Sequence, residues 1–288
     1  MAWGTFTHEV LQECPRTKAE LAPGASLEAT VLDTFDKKMT GRFGGEPPGL
    51  VKLQCGMIRD SLKYFAKVQN AEFDAGWEIV TTEYSVNVTW GELYKAVFPG
   101  EDPGPLRGGI VLSGQIDRID RRPAKGGGVE LRVLDYKTKK NSELPKKSHL
   151  VSPQTAPMWA EDRHALDEVL KTTGKIKTYY WADLQLPLYV LLAKHILPAL
   201  GVVPQAKKIS AGYFNLPLEL TDTGIRIFEE LDDPAVLESA VRCADRLLHK
   251  IFEEQIFRPA AKDVFPVYQD SEIAMAQILD PFSNWSGS

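Results

Sequence analysis

Three charged residues lie in segments with the alternating pattern of β-strands, and the two acids among them could hold a metal ion beside an amine. Asp117 lies within an alternating apolar segment, while Asp135 and Lys137 lie at the end of the next one. Side chains two positions apart share one face of a strand, so Asp135 and Lys137 are expected to point the same way. An amine held beside a carboxylate on one face can orient or polarise an attacking water molecule.

The residues between these segments predict that Asp117 meets Asp135. Residues 121–128 contain a proline and three consecutive glycines, which suit a hairpin turn. A turn centred in this stretch places Asp117 opposite about residue 133, one side-chain step from Asp135. Two carboxylates so close repel each other, and a hard cation such as Mg²⁺ or Mn²⁺ relieves the repulsion. With Lys137 beside them, the two acids predict metal-assisted hydrolysis, in which the cation also stabilises charge on a phosphate.

An Asp-x-Lys pair alone is a weak signal, because this spacing is common in strands and usually gives a surface salt bridge. Here a Gly-x-x-Asp strand precedes the pair across a short hairpin, and a helix with Gln185 and Tyr189 follows it. Residues four apart lie on one helical face, so Gln185 and Tyr189 can act together. The joint pattern is therefore much more specific than any of its parts.

Hydrophobic periodicity predicts the elements that position these residues. Helices with apolar stripes are predicted over 5–12, 27–35, 53–65, 159–170, 184–197 and from 234 onwards. Ser26, Asp183 and Asp233 are placed to cap three of them. Strands with alternating side chains are predicted over 80–88, 109–120, 129–137 and 207–215. The expected loops are 41–49, 99–105 and 142–157, the last of them mobile.

The order of these elements is typical of an α/β fold with a central mixed β-sheet flanked by helices. The last two strands and the helix between them fit a right-handed parallel crossover. We expect one domain over residues 1–288. Its expected parts are a helical N-terminal part over 1–76, a catalytic sheet with its crossover helix over 77–220, and a C-terminal helix and tail over 221–288.

The composition is ordinary for a globular chain, with 43% hydrophobic and 25% charged residues. No apolar run of about 18 residues is present, so no membrane-spanning helix is expected. The N-terminal residues lack the basic and apolar regions of a signal peptide, and the expected location is therefore cytoplasmic. Cys14, Cys55 and Cys243 match neither a zinc spacing nor a disulfide framework and are expected to be reduced, partly buried thiols.

The formal net charge of −5 argues against a protein that holds nucleic acid by bulk charge alone. A local set of cations nevertheless accompanies the acidic pair, and without that pair it would indicate only a solvated surface. Its members are Arg107, Arg118, Arg121, Arg122, Lys137, Lys139, Lys140, Lys146 and Lys147. The chain has no Gly-x-x-x-x-Gly-Lys-[Ser/Thr] phosphate loop, so it is not expected to be an ATP-driven motor by itself.

Taken together, these motifs resemble the RecB-type nuclease signature of the PD-(D/E)xK superfamily, which has a restriction-endonuclease-like core. The matching segments are Gly114-Gln-Ile-Asp117, Asp135-Tyr-Lys137 and Gln185-Leu-Pro-Leu-Tyr189. The segment from Gly4 to Leu11 resembles the first motif of that family, a helix whose histidine is a metal ligand. The resemblance is greatest to the C-terminal nuclease domain of AddB-type helicase–nuclease repair proteins.

The resemblance implies a set of ligands for Mg²⁺ or Mn²⁺. Asp117 and Asp135 would bind the ion, and the backbone carbonyl of Tyr136 and the imidazole of His8 would complete its shell. A lone histidine near a terminus is usually a surface residue, but the Gly-x-x-x-His-x-x-Leu context favours a ligand. Many relatives also hold an iron–sulfur cluster on four cysteines. Because this chain lacks that set, no cluster is expected.

The resemblance also implies the reaction and the partners. Lys137 would position the nucleophilic water, and Gln185 and Tyr189 would support the site and contact the nucleic-acid strand. The implied activity is hydrolysis of DNA phosphodiester bonds by an exonuclease, in end processing for double-strand-break repair and recombination. The implied partners are DNA and a helicase subunit or helicase domain, with no role for a membrane.

Two other functions stay open. A catalytically silent DNA-binding or scaffold module could keep the same fold, although the presence of every expected acid and of the lysine counts against it. A stand-alone exonuclease of a phage or CRISPR system would carry the same residues. A transferase is a weaker alternative, because no cofactor loop supports it.

The remaining charged candidates are expected to be structural. Glu83 could be an acidic member of the site, but it is expected to face solvent from its strand. Asp120, three residues beyond Asp117, is expected to face the other way and to pair with a neighbouring arginine. The histidines without a motif around them are His149, His164, His195 and His249.

Overall fold

The computed structural model describes residues 3–45, 47–152, 165–169 and 176–255. The helices are α1 (Trp3–Leu11), α2 (Leu27–Phe43), α3 (Gly49–Asp74), α4 (Trp90–Val97), α5 (Pro105–Gly108), α6 (Pro145–His149), α7 (Gln185–His195) and α8 (Pro234–Phe252). The strands are β1 (Glu78–Thr89), β2 (Val111–Pro123), β3 (Val129–Lys137), β4 (Leu150–Val151), β5 (Ala165–Val169), β6 (Ile176–Trp181), β7 (Lys208–Asn215) and β8 (Gly224–Ile227). Short 3₁₀ helices occupy Lys18–Glu20, Leu220–Asp222 and Glu229–Asp232.

A mixed five-stranded sheet forms the centre of the fold, in the order β1-β2-β3-β7-β8. β3 and β7 run parallel, and the other neighbours in this sheet are antiparallel. Parallel neighbours need a crossover connection, and α7, which lies between them in the chain, contacts both strands. A second, three-stranded antiparallel sheet has the order β4-β6-β5. The predicted α/β fold, a mixed sheet flanked by helices, is confirmed.

Side-chain alternation gives the central sheet two apolar faces. On β3, Leu131 and Val133 face a core that includes Trp90 of α4 and the apolar residues of α7 and α8. Leu134 and Tyr136 face a second core, which the sheet forms with α1, α2 and α3. All four side chains of β3 are buried, as expected for a central strand covered on both faces. The acid and the lysine of the Asp-x-Lys motif continue the first of these faces.

Side-chain caps fix where α2 and α8 begin, as the sequence predicts. Ser26 Oγ accepts a hydrogen bond from the Ala29 N–H at 3.1 Å, which caps α2. The Asp183 and Asp233 carboxylates accept early N–H groups of α7 and α8, at 2.7 and 2.9 Å. Each bond satisfies a donor that the helix itself leaves unpaired. The N-cap of α7 is Leu184, whose side chain makes no capping hydrogen bond, and the predicted cap Asp183 lies one residue earlier and accepts the first N–H of the helix.

A buried charge network lies between the central sheet and α3. Asp120 accepts hydrogen bonds from Arg118 Nη2 at 2.9 Å and from Arg132 Nη2 at 2.8 Å. Arg132 also donates to Glu72 at 2.7 Å and lies over the ring of Trp77. Asp120 and Arg118 are fully buried, so each charge depends on its partners instead of water. The predicted pairing of Asp120 with a neighbouring arginine is confirmed.

Two stretches differ from the sequence prediction. The expected loop over 142–157 contains α6 and β4, and its residues beyond 152 lie outside the described ranges. The predicted helix over 159–170 is wrong where it can be compared, because residues 165–169 form β5. The rest of that predicted helix lies outside the described residues. Apolar spacing in so short a stretch does not separate helix from strand, and pairing with β6 decides the outcome.

Other differences concern the ends of elements and short elements. The expected loop over 41–49 is shorter, because α2 continues to Phe43 and α3 begins at Gly49. The sequence prediction omits α4, although Thr89 and Glu92 form its capping box, with the Thr89 N–H donating to Glu92 at 2.8 Å. It also omits β8, which is too short for a periodic signal.

Some expectations concern the chain as a whole. Cys14, Cys55 and Cys243 are free thiols, and the first and last are buried, as expected. In the described ranges, no helix combines the length and the apolar content needed to cross a bilayer. The expectation of one domain over 1–288 stays a prediction.

We predict that Asp120→Ala lowers the free energy of unfolding by about 3–5 kcal/mol, because two buried arginines then lose their counter-charge. Chemical denaturation at neutral pH measures the change. The control is Asp232→Ala, which removes an exposed ion pair with Lys208 and should cost less than about 1 kcal/mol. Equally small losses in the two variants would contradict a structural role for the buried network.

Candidate metal centre

Glu83, Asp117 and Asp135 lie in one row across three adjacent strands. The register of β1 with β2 places Glu83 level with Asp117. β2 and β3 pair as far as Arg118 with Leu134, and Asp117 and Asp135 are the next residues on each strand. Three carboxylates from separate parts of the chain are therefore neighbours in the sheet.

The pairing of β2 with β3 corrects the predicted position of Asp117. The sequence places Asp117 opposite about residue 133, and this is wrong by two residues. The turn is centred on Gly126, one residue later than assumed, and Gly126 is the first of three glycines with positive φ. The shift brings Asp117 level with Asp135 itself, so the two acids are closer than the sequence indicates.

β2 and β3 separate at the point where the acids begin. Asp117 Oδ2 accepts the Tyr136 N–H at 2.8 Å, so a side chain replaces the backbone acceptor of a continued ladder. On β2, the Gln115 carbonyl accepts the Tyr189 O–H at 2.6 Å, and Gln185 Nε2 donates to the Tyr189 oxygen at 3.2 Å. The polar face of α7 therefore satisfies the backbone of β2 where it leaves β3. Gln185 and Tyr189 act together, as their spacing predicts.

His8 of α1 also lies close to the row of acids. Its Nδ1 lies 3.3 Å from Glu83 Oε1 and 3.7 Å from Asp117 Oδ2. One ligand atom from each of these three residues lies within 4.8 Å of the other two. The three residues line an open cleft of about 570 Å³. The other residues of the cleft are Gly4, Thr5, Glu9, Gln12 and Gln115.

Glu83 is a site residue whose side-chain direction the sequence predicts wrongly. The expectation that it faces solvent fails, because its side chain is only 13% exposed and its Oε1 is buried without a hydrogen bond. Its φ of 50° is a left-handed backbone, which interrupts the regular alternation of β1. Alternation predicts side-chain direction only in a regular strand, so no sequence pattern identifies Glu83 as a member of the site.

Lys137 lies next to Asp135, as the two-residue spacing predicts. Its Nζ is 2.7 Å from Asp135 Oδ2 and 4.7 Å from the centre of the Tyr213 ring. The two charged side chains are 20% and 6% exposed, respectively, so the ion pair is shielded from water. Asp135 does not belong to the 4.8 Å group around His8. It adjoins that group through Asp117 and connects it to the lysine.

Burial and nearby charges set the protonation of these groups. Burial and the neighbouring Asp135 raise the pKa of Asp117 to about 6, against the opposing effects of His8 and the Tyr136 N–H. Burial acts to lower the pKa of Lys137, but the Asp135 carboxylate more than offsets this, so the pKa is raised. Lys137 is therefore a cation at neutral pH, while the Asp117 anion is destabilised by its surroundings.

The donor set fits a hard divalent cation. Carboxylate oxygens are the preferred ligands of Mg²⁺ and Mn²⁺, and an imidazole nitrogen can join them. The buried Glu83 Oε1 has no hydrogen bond, and Asp117 is destabilised by Asp135. A cation placed among these groups would give Glu83 Oε1 a partner and would offset the repulsion between Asp117 and Asp135.

The Tyr136 side chain and most of the predicted basic set do not line the cleft. The Tyr136 ring packs on the other face of the sheet and lies 5.4 Å from the His8 ring, while the Tyr136 backbone N–H adjoins Asp117. Arg118 is fully buried rather than part of a surface. Other members pair with carboxylates outside the site, and these are Arg107, Arg121, Arg122, Lys139 and Lys146. Of the histidines expected to be structural, His149 is fully buried, and His164 lies outside the described residues.

Comparison with known proteins gives one family. A sequence profile of the PD-(D/E)XK nuclease superfamily matches residues 2–160. The matched stretch covers just over half of the chain and contains His8, Asp117, Asp135 and Lys137, whereas Gln185 lies beyond it. A search among curated proteins finds no match for the chain.

We predict that Asp117→Asn stabilises the metal-free protein at alkaline pH, because it removes an anion whose pKa is raised to about 6. The folded-state pKa lies above the unfolded value. The penalty is therefore absent below about pH 4, grows as the pH rises to about 6, and is then constant. Thermal and chemical unfolding in EDTA should show a gain of about 3 kcal/mol at about pH 8 and almost none at about pH 4.

The comparison between the two pH values is the control for this variant. Loss of a hydrogen bond or a change in packing would alter stability equally at both. A pH-independent effect, or a destabilised variant at about pH 8, would contradict the repulsion between Asp117 and Asp135.

Proposed function

Because the chain belongs to the PD-(D/E)XK nuclease superfamily, we propose that it is a divalent-metal-dependent deoxyribonuclease of the RecB-like branch. One observation supports this most strongly. Asp117 and Asp135 leave two adjacent strands side by side, and Lys137 is ion-paired with the second of them. Two adjacent carboxylates repel each other, which destabilises the folded protein unless a cation lies between them.

The proposed metal ligands come from three strands and one helix. His8, Asp117 and Asp135 are the side-chain ligands, and Glu83 joins them because it lies in the same 4.8 Å group as His8 and Asp117. The N–H and C=O of a strand residue point to the same side, and the Tyr136 N–H points at Asp117. This direction supports the Tyr136 carbonyl as a further ligand. When bound, a divalent ion supplies positive charge that stabilises charge developing on phosphate oxygens.

The side chain of Lys137 has a narrower role than a general base. Its raised pKa keeps the ammonium protonated at neutral pH, so it donates hydrogen bonds and does not accept a proton. We assign it to orienting the attacking water and to balancing the charge of a phosphate oxygen. Asp135 holds the ammonium at 2.7 Å and so limits where it can donate.

The proposed role of Gln185 and Tyr189 is support of β2 beside Asp117. The Tyr189 hydroxyl donates to the Gln115 carbonyl, and Gln185 donates to that hydroxyl oxygen. This chain of hydrogen bonds sets the position of the backbone two residues before Asp117. Contact of α7 with the nucleic-acid strand belongs to the same proposal.

The finer assignment follows from the resemblance to AddB-type nuclease domains. It supports DNA as the substrate, Mg²⁺ or Mn²⁺ as the cofactor and exonuclease action at DNA ends. It also supports end processing in double-strand-break repair and recombination, with a helicase subunit or helicase domain as partner.

We predict that Asp135→Asn and Lys137→Ala each reduce metal-dependent DNA cleavage by at least about 100-fold, because each removes charge from the reacting centre. End-labelled single- and double-stranded DNA, incubated with Mg²⁺, Mn²⁺ or EDTA, gives the measurement. Circular dichroism and thermal unfolding should show that both variants stay folded.

Glu130→Gln is the matched control for these variants. Glu130 lies at the other end of β3, where it pairs with Arg122, and its loss should leave cleavage unchanged. Folded wild-type protein without metal-dependent cleavage of either DNA would overturn the proposal. A catalytically silent binding module would give that result and would still bind DNA.

A second prediction concerns metal binding alone. His8→Ala and Glu83→Gln should each weaken Mn²⁺ binding by at least about 10-fold, since each removes a donor from the cluster. Titration calorimetry in the absence of DNA measures this affinity. Glu13→Gln, which breaks an ion pair with Lys38 away from the acidic row, is the control and should bind Mn²⁺ like the wild type. An unchanged Mn²⁺ affinity in Glu83→Gln would show that Glu83 is not a metal ligand.

A further inference from the structure

A fully buried histidine lies behind the Asp-x-Lys motif, outside the set of residues assigned above. The His149 side chain is 0% exposed and stacks on Phe228, with ring centres 5.4 Å apart. Its Nδ1 lies 2.8 Å from the Asp183 carbonyl oxygen, and its Nε2 lies 2.9 Å from the Tyr213 hydroxyl. Both ring nitrogens therefore have partners, which is what a buried imidazole requires.

These partners fix the direction of both hydrogen bonds. A carbonyl oxygen only accepts, so His149 Nδ1 must carry a hydrogen and donate to Asp183. In the neutral ring, Nε2 is then an acceptor, and the Tyr213 O–H donates to it. Burial lowers the pKa of His149, which favours this neutral form. The Tyr213 hydroxyl therefore donates to His149, and Ser148 is a second polar partner of the same hydroxyl.

Tyr213 connects this histidine to the amine of Lys137. Tyr213 pairs with Asp135 in the parallel ladder of β3 and β7. The Lys137 Nζ lies over the Tyr213 ring, 4.7 Å from its centre, and 2.7 Å from Asp135 Oδ2. A lysine side chain is flexible, so an ammonium used for orientation has to be held from more than one side. Here a carboxylate and the face of an aromatic ring share that task.

The same histidine is also connected to the start of α7. Asp183 accepts the His149 hydrogen bond through its carbonyl, and its carboxylate accepts the Gln185 N–H at 2.7 Å. The Ala182 N–H in turn donates to the His149 carbonyl at 2.7 Å. One buried residue therefore joins the support of the lysine to the helix that supports β2.

We infer that Tyr213 and His149 are positioning residues of the reaction, which act by holding the Lys137 ammonium in place. The inference rests on the proposed function. His149 orients the Tyr213 ring, the ring and Asp135 hold the ammonium, and the ammonium orients the attacking water. Neither residue touches the substrate, so their loss should affect the rate of the chemical step rather than binding.

Tyr213→Phe is the direct test, because it keeps the ring and removes only the hydroxyl that His149 orients. It should lower kcat for DNA cleavage by about 10-fold and leave KM and the Mn²⁺ affinity unchanged. His149→Gln combined with Tyr213→Phe should lose no more than the larger single loss, since both act through one contact. Ser239→Ala is the matched control. It removes the buried hydrogen bond that Trp181 donates to Ser239 at 3.1 Å, which is not a contact of His149, Tyr213 or Lys137, and kcat should be unchanged.

A second readout does not depend on activity. Acylation of Lys137 by an amine-reactive ester, followed by mass spectrometry, should be about 3-fold faster in Tyr213→Phe than in the wild type, and unchanged in Ser239→Ala. Equal kcat in Tyr213→Phe and the wild type, or equal losses in Tyr213→Phe and Ser239→Ala, would overturn the inference. If the wild-type protein cleaves no DNA, the proposed function fails, and so does the role of Tyr213 and His149 in the reaction. The acylation rates would still decide whether Tyr213 holds Lys137.

Discussion

The structure depends on the separation of two strands directly beside a pair of like charges. β2 and β3 pair up to Arg118 and Leu134, and the next residues on each strand are Asp117 and Asp135. A continued ladder would use its own backbone acceptors, but here the Asp117 carboxylate takes the Tyr136 N–H. The strands can therefore end their pairing without leaving a buried donor unsatisfied, and two acids stay close in a shielded position.

The surroundings of the site support this separation from both faces of the sheet. On one face, Tyr189 of α7 satisfies the Gln115 carbonyl of β2. On the other face, the buried pairing of Arg118 and Arg132 with Asp120 joins β2 and β3 where they still run together. The arrangement destabilises the Asp117 anion, whose pKa is raised by burial and by the neighbouring Asp135. Carboxylates whose pKa is perturbed by burial and by a specific charged neighbour cluster at functional centres.

The sequence predicts the parts of this site that depend on local regularity. Side chains two residues apart share a face of a strand, so Asp135 and Lys137 lie together. The same alternation places Asp120 on the opposite face, where it pairs with arginines. Alternation gives the wrong side-chain direction for Glu83, because the left-handed backbone at this residue interrupts the strand and the sequence pattern does not reveal it. The contact of His149 with Tyr213 joins segments 64 residues apart and depends on packing, which periodicity does not describe. The short strands β5 and β8 also depend on tertiary contacts, because they form by pairing with β6 and β7.

The central claim is that Asp117 and Asp135 share one divalent cation. A crystal of the wild-type protein grown with Mn²⁺, with anomalous diffraction to locate the ion, tests it most directly. The account predicts one peak between the two carboxylates, with an oxygen of each about 2.1–2.3 Å away and His8 or Glu83 on its far side. A peak that contacts only one of the two aspartates, or no peak at this position at saturating Mn²⁺, would contradict it.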